Sequence, residues 1–252
     1  MAQYKKIHTA LVSVFHKEGL EEIIQALQQY HIQIVSTGGT YDYITNLGAE
    51  ARKVEDITGY PSVLHGRVKT LHPKVFGGIL YQRDNEADEK DSEHYNLPKI
   101  DMVIVDLYPF EQTVAQGAKE ETAVEKIDIG GISLIRAAAK NFRDTLVVSS
   151  RSQYQEIAEL IRQNEGGTHI EERRHFAAEA FAQSSHYDTM IFNYFKEDSS
   201  GEDFRLSRHG GQVLRYGENP HQRSTFYGNF KDYFHQLHGK SISYNNLLDI
   251  DA

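Results

Sequence analysis

The sequence predicts an α/β fold, a parallel sheet with helices on both faces, followed by an incomplete second α/β domain. Three observations carry this expectation. Strand-like and helical patterns alternate from residue 7 to residue 163, the arrangement that builds a sheet sandwiched by helices. The run Met102-Val103-Ile104-Val105 is apolar at every position, as a parallel strand covered on both faces requires. The turns Ser36-Thr37-Gly38-Gly39-Thr40 and Asp128-Ile129-Gly130-Gly131 fall between strand and helix patterns, where free backbone N–H groups can face an anion.

Residues 7–14 read as a buried strand, and Leu20, Ile23, Ile24 and Leu27 follow at helical spacing. Ile32 to Val35 forms a second short strand, and Tyr43, Ile44 and Leu47 mark a helix that stops at Gly48. The strand from Asp101 to Leu107 ends at Tyr108-Pro109. A helix is expected over Lys119 to Lys126, and an alanine-rich one from Ile132 to Asn141. Thr145 to Ser149 supplies another strand, and Ser152 to Gln163 an amphipathic helix capped by Ser152. Ile170 to Phe195 reads as a long closing helix or helix pair. Glu197 to Asp203 loses all apolar periodicity and marks a linker. The domains expected are therefore residues 1–198 and a short stretch 199–252, too small for a comparable core, with a strand at Ser224 to Tyr227.

Composition narrows the functional classes. No run approaches the ~18 apolar residues of a membrane span, and the N-terminus leads straight into folded pattern rather than a signal peptide. With no cysteine, disulfides, thiolate metal sites and a cysteine nucleophile are excluded, which fits a cytoplasmic protein. A formal net charge of -9 argues against a nucleic-acid or anionic-membrane partner. An anionic substrate would need a local positive island.

That island is sought in Gly66-Arg67-Val68-Lys69-Thr70-Leu71-His72-Pro73. On an extended segment Arg67 and Lys69 share a face and Thr70 adds a hydroxyl, the donors a phosphate ester needs. A solvated basic loop would carry the same residues. Neither glycine pair completes a dinucleotide or triphosphate fingerprint. Asp128 precedes a helix and would cap it; Lys140 sits at that helix's C-terminal end, where the dipole favours a cation. Chain order nevertheless gathers Thr37, Tyr108 and Asp128 at strand ends of one sheet. His235 and His238 have a spacing that binds metal on a helix, yet lack a third ligand, so no metal site is expected.

Taken together these stretches resemble one family, the bifunctional purine-biosynthesis enzymes AICAR transformylase/IMP cyclohydrolase. The resemblance rests on Leu11 to Val14 with Lys17, Ser36 to Thr40, Gly66 to Pro73, Leu107 to Phe110, Ile127 to Gly131 and Arg136 to Asn141, in the family's order. It implies a methylglyoxal-synthase-like fold for the first domain and closure of the purine ring of formyl-AICAR to IMP. Catalysis is then implied for Lys69, Tyr108, Asp128 and Lys140, with Asp128 and Lys140 as the proton-handling pair. Substrate binding is implied for Ser13, Lys17, Thr37, Gly38, Gly39 and Thr40 on the phosphate and ribose side. Arg67 and Thr70 line the base, and Ile129 and Gly130 face a developing oxyanion.

Leu214 to Gln222 and Gly239 to Ala252 resemble the start of the transformylase domain, with Arg215, Tyr216 and Asn246 at positions that contact AICAR. The resemblance implies no cofactor for the cyclohydrolase, 10-formyltetrahydrofolate only for the missing transformylase part, and a homodimer for the full-length parent. Three positions depart from the family pattern: His16 where many members have Asp, Asp106 where many have Asn, and Phe15 where serine is frequent. Two other activities share the phosphate loops: effector binding without chemistry, and a methylglyoxal synthase acting on dihydroxyacetone phosphate.

Overall fold

A computed structural model describes residues 4–196, 203–208 and 210–251. The chain forms two compact units, Met1–Ile191 and Phe192–Ala252. The expected linker, Glu197 to Asp203, lies outside the described residues except for Asp203.

In chain order the elements of the first unit begin with β1 (Tyr4–Lys6), β2 (Thr9–Ser13), α1 (Leu20–Gln29), β3 (Gln33–Ser36), α2 (Gly38–Asn46), β4 (Arg52–Lys53) and α3 (Val54–Thr58). They continue with α4 (Pro73–Leu80), α5 (Glu86–Tyr95), β5 (Met102–Val105), α6 (Phe110–Ala115), α7 (Glu120–Glu125) and α8 (Gly130–Lys140). β6 (Leu146–Val148), α9 (Tyr154–Gln163), β7 (Gly167–His169) and α10 (Ile170–Phe195) complete the series.

Five strands make a parallel sheet in the order β4-β3-β2-β5-β6. Leu11 pairs with Val35 on one side and Val103 on the other. Every residue of β5 is buried, which accounts for its lack of alternation. The order reverses at β2: the chain moves outward through β3 and β4, then returns to start β5 on the other side. Right-handed crossovers in opposite directions put α1 and α8 on opposite faces. Accordingly α1 packs with α9, while α8 packs on β5, β6 and α4.

Several elements differ from expectation. β1 pairs with β7, antiparallel and outside the main sheet. β4, α3, α4 and α5 occupy a region with no clear apolar period. α9 is preceded by a 3-10 turn, Arg151–Gln153, capped by Ser150 rather than Ser152; the Gln153 side chain returns to accept the N–H groups of Ser149 and Ser150. α10 is one continuous helix. His72 caps α4 through Nδ1, which accepts the Lys74 N–H at 3.2 Å, and Pro73 follows at the first helical position.

The second unit holds an antiparallel pair, β8 (Gly211–Val213) and β9 (Thr225–Tyr227), and a terminal helix, α11 (Tyr244–Asp251). His235 and His238 lie in non-helical chain, so their spacing does not place them on one helix face.

Candidate active site

A cavity of about 620 Å³ opens at the carboxyl ends of β2, β3 and β5, where the strand order reverses. Two helix N-termini face it. α2 begins at Gly38 after Thr37, and its first N–H groups have no partner within the helix. α8 begins at Gly130 after Ile129. Each end carries a partial positive charge toward the cavity.

The lining at β2 and β3 gathers two hydroxyls and an ammonium, donors that an anion could use. Ser13 Oγ and Thr37 Oγ1 lie 3.3 Å apart. Lys17 curls back so that its ammonium donates to the carbonyls of Val14 and Phe15, leaving its remaining proton for a ligand. Burial pushes the Lys17 pKa down, opposed by the charge of Asp106. Thr40, buried beneath, accepts the Val14 N–H and donates to the Val14 carbonyl. Its hydroxyl proton is committed to fixing the loop after β2 and is not free to donate to a phosphate.

The rest of the lining carries the titratable groups Asp128, Tyr108 and Lys69. Asp128 Oδ1 accepts the Gly131 N–H at 2.7 Å, the capping role its position suggested. Its second oxygen lies so close to Gly131 that a Cβ there would sit 2.5 Å away. Burial pushes the Asp128 pKa up, against the Gly131 hydrogen bond and with help from the charge of Asp106. Burial likewise raises Tyr108, with Asp128 the next cause. Lys69 projects toward the start of α2: a Cβ on Gly38, whose φ is +46°, would meet Lys69 Nζ at 3.4 Å. Thr70 is buried against Gly130 in the same way, at 3.2 Å.

The fold brings most of the expected residues to one place. Ser13, Lys17, Thr37, Gly39, Thr40, Arg67, Lys69, Thr70, Tyr108, Asp128, Ile129 and Gly130 all line the cavity, with Gly38 beneath Lys69. Arg67 arrives by an unexpected route. Leu64–Gly66 forms a 3-10 turn closed by a bridge between Val63 and Val68, so the segment is not extended, and Arg67 Nε donates to the Leu64 carbonyl.

Lys140 does not join the lining. It is exposed at the far end of α8, about 15 Å along the axis from Gly130 at 1.5 Å per residue. This chain's fold does not pair it with Asp128. In the second unit Arg215 stacks on Tyr216, and Asn246 Oδ1 accepts from Ser243 at the start of α11.

Other residues enter that the motifs did not single out. Tyr187 on α10 accepts the Asp128 N–H at 2.7 Å and donates to the Lys126 carbonyl; burial pushes its pKa up to about 12. Lys126 lies over the rings of both Phe15 and Tyr108, which meet edge to face. Long-range partners of this kind leave no spacing signal in a sequence.

The MGS-like domain family matches residues 19–133 and the AICARFT/IMPCHase bienzyme family residues 138–252. The second match begins inside α8, well before the break between the compact units. The bifunctional purine biosynthesis protein PurH of Bacteroides thetaiotaomicron is 58% identical over the whole chain. That of Chloroflexus aurantiacus is 43% identical over 98% of it. The chain spans about half the length of these relatives, 50% and 48%. The crystal structure of ForH aligns with a TM-score of 0.64 at 31% identity, covering 75% of this chain and 96% of that one. The two family matches and the similarity along the whole chain show that it belongs to the PurH family of bifunctional purine biosynthesis proteins.

Proposed function

We propose that this chain is an IMP cyclohydrolase, closing the ring of formyl-AICAR to IMP with loss of water. The observation that carries the reading is the convergence of Lys69, Tyr108 and Asp128 on one cavity that also receives the N-termini of α2 and α8. A nucleotide monophosphate has its dianion at one end and its reacting groups at the other. The cavity is lined by Ser13, Lys17 and Thr37 at the ends of β2 and β3, with Lys69 Nζ beside Gly38 at the start of α2, and by Tyr108 and Asp128.

Ring closure joins the carboxamide nitrogen to the formyl carbon. One proton leaves the carboxamide nitrogen and one the formamido nitrogen, and both depart on the former formyl oxygen as water. An amide nitrogen is a weak nucleophile, so orientation and proton removal are the main demands. Asp128, with one oxygen fixed by Gly131, is positioned to accept the proton. Lys69 and Tyr108 supply the two protons that the oxygen needs to leave as water, regaining one from Asp128 and one from the formamido nitrogen as its N–H is lost, while the N–H groups at the start of α8 stabilise the oxygen's negative charge. Lys140 is left without a direct role. The reaction is a condensation by proton transfer, for which we propose no cofactor or metal, and no transformylase activity is proposed for this chain.

The test is to incubate the purified chain with formyl-AICAR and follow IMP by absorbance. Turnover is expected. Folded protein that binds IMP in calorimetry without turning over substrate would overturn the reading in favour of an effector-binding module.

A further inference from the structure

We propose that Asp106, locked by His16, is a positioning residue that holds the phosphate-side loop in register with the proton-transfer wall. The proposal rests on the cyclohydrolase reading and adds to it a residue pair that holds the substrate-binding groups in place.

The geometry begins with two adjacent strands. β2 and β5 pair side by side, Ser13 opposite Val105, so the chain leaving each enters the cavity next to the other. Asp106 is the first residue beyond β5 and is only 7% exposed. Its carboxylate accepts the N–H of Phe15, the N–H of His16 at 2.9 Å and His16 Nδ1 at 2.8 Å. Against an ionised carboxylate, which only accepts, Nδ1 would be the donor. One buried acid thus satisfies three donors on the loop from the neighbouring strand, and such charge-assisted bonds are the strong class.

That loop carries two parts of the site. Lys17 is held by the carbonyls of Val14 and Phe15, so the placement of those carbonyls sets the placement of the ammonium. The Phe15 ring stands edge-on to Tyr108 at 5.2 Å, with Lys126 above it at 5.2 Å. Asp106 therefore acts through the placement of Lys17, while the Phe15 ring on the same loop rests against Tyr108. Its oxygens are committed to the loop, which argues against its being the base itself, although it lines the cavity.

The experiment uses the full chain with His16→Ala, His16→Asn and Asp106→Asn. kcat and KM are measured for formyl-AICAR, IMP affinity by calorimetry, and folding by circular dichroism. His16→Ala is expected to raise KM and weaken IMP binding about 10-fold, the worth of a hydrogen bond to a charged group, with kcat within about threefold. His16→Asn places an amide donor where Nδ1 stood and is expected to recover most of that loss, which a merely space-filling role would not predict. Asp106→Asn keeps an accepting oxygen and loses the charge; it is expected to raise KM likewise, and gives the reading should His16→Ala fail to fold.

The proposal is overturned if KM and IMP affinity stay within about twofold in His16→Ala, if His16→Asn recovers nothing, or if Asp106→Asn loses kcat alone. The last result would make Asp106 a direct proton carrier. A wild-type chain that binds IMP without turnover defeats the cyclohydrolase reading only, because the variants' IMP affinities still report on the pair. A wild-type chain that binds no nucleotide defeats both.

Discussion

Asp128 both accepts the Gly131 N–H at the start of α8, at 2.7 Å, and lines the cavity. The cap and the proposed chemistry therefore share one side chain, so a shift of the carboxylate disturbs both. Gly131→Ala tests this coupling. The added methyl would meet Asp128 Oδ2 at 2.5 Å, so the carboxylate must turn. The expected outcome is a rate loss of about 10-fold or more at saturating substrate, with a destabilisation of about 1 kcal/mol from the weakened cap, read by kinetics and thermal melts.

Asp128→Asn separates charge from capping, because the amide oxygen can still accept the Gly131 N–H. A rate loss of at least ~100-fold is expected if the carboxylate removes a proton in the transition state. The stability effect runs the other way. Burial raises the folded pKa above the unfolded value, so the folded protein binds more protons between the two and wild-type stability falls as pH rises through that window. The melting temperature of Asp128→Asn relative to wild type should therefore climb with pH and level off once the folded carboxyl is ionised.

Lys69 and Lys140 make a matched comparison. Lys69 reaches the start of α2 and lines the cavity, whereas Lys140 stands exposed at the other end of α8. Lys69→Ala is expected to lower kcat by ~100-fold or more, and Lys140→Ala by much less. Equal losses in steady-state kinetics would give Lys140 a role that the fold of this chain does not show.

Lys17→Met tests the anion wall. If the ammonium holds the phosphate, as proposed, KM should rise by about 10-fold while kcat changes little. Its advantage over the variant should shrink as salt is added, because part of the attraction is screened.

Much of this architecture is legible in the residues. β5 announces itself because a strand covered on both faces needs an apolar side chain at each position, and α9 because one face of it is buried. α5, with sequence Glu86-Ala87-Asp88-Glu89-Lys90-Asp91-Ser92-Glu93-His94-Tyr95, buries only Ser92 and so carries no apolar period to read. β4 has two exposed residues and exists only because β3 offers it an edge. In the site, Thr37 and Tyr108 could be placed because strand ends in such folds converge, whereas Asp128, expected at a strand end, reaches the cavity from the connection between α7 and α8. The distance from Asp128 to Lys140 could not be placed, since twelve positions of sequence become one helix length only when the helix is straight and uninterrupted. Phe15, His16 and Asp106 stand out in the sequence as departures, and only the fold shows that the three are joined. Tyr187, more than fifty residues from its partners, has no local signature at all.

The reversal of strand order at β2 has a consequence for how such a protein can change. The crevice is a seam left where two halves of the sheet grow in opposite directions, so it is a property of connectivity rather than of any side chain. Substitutions in the surrounding loops can redirect or abolish chemistry while the seam persists. A lineage that lost Lys69 or Asp128 would keep an anion-sized berth between two helix ends, available for a different ligand.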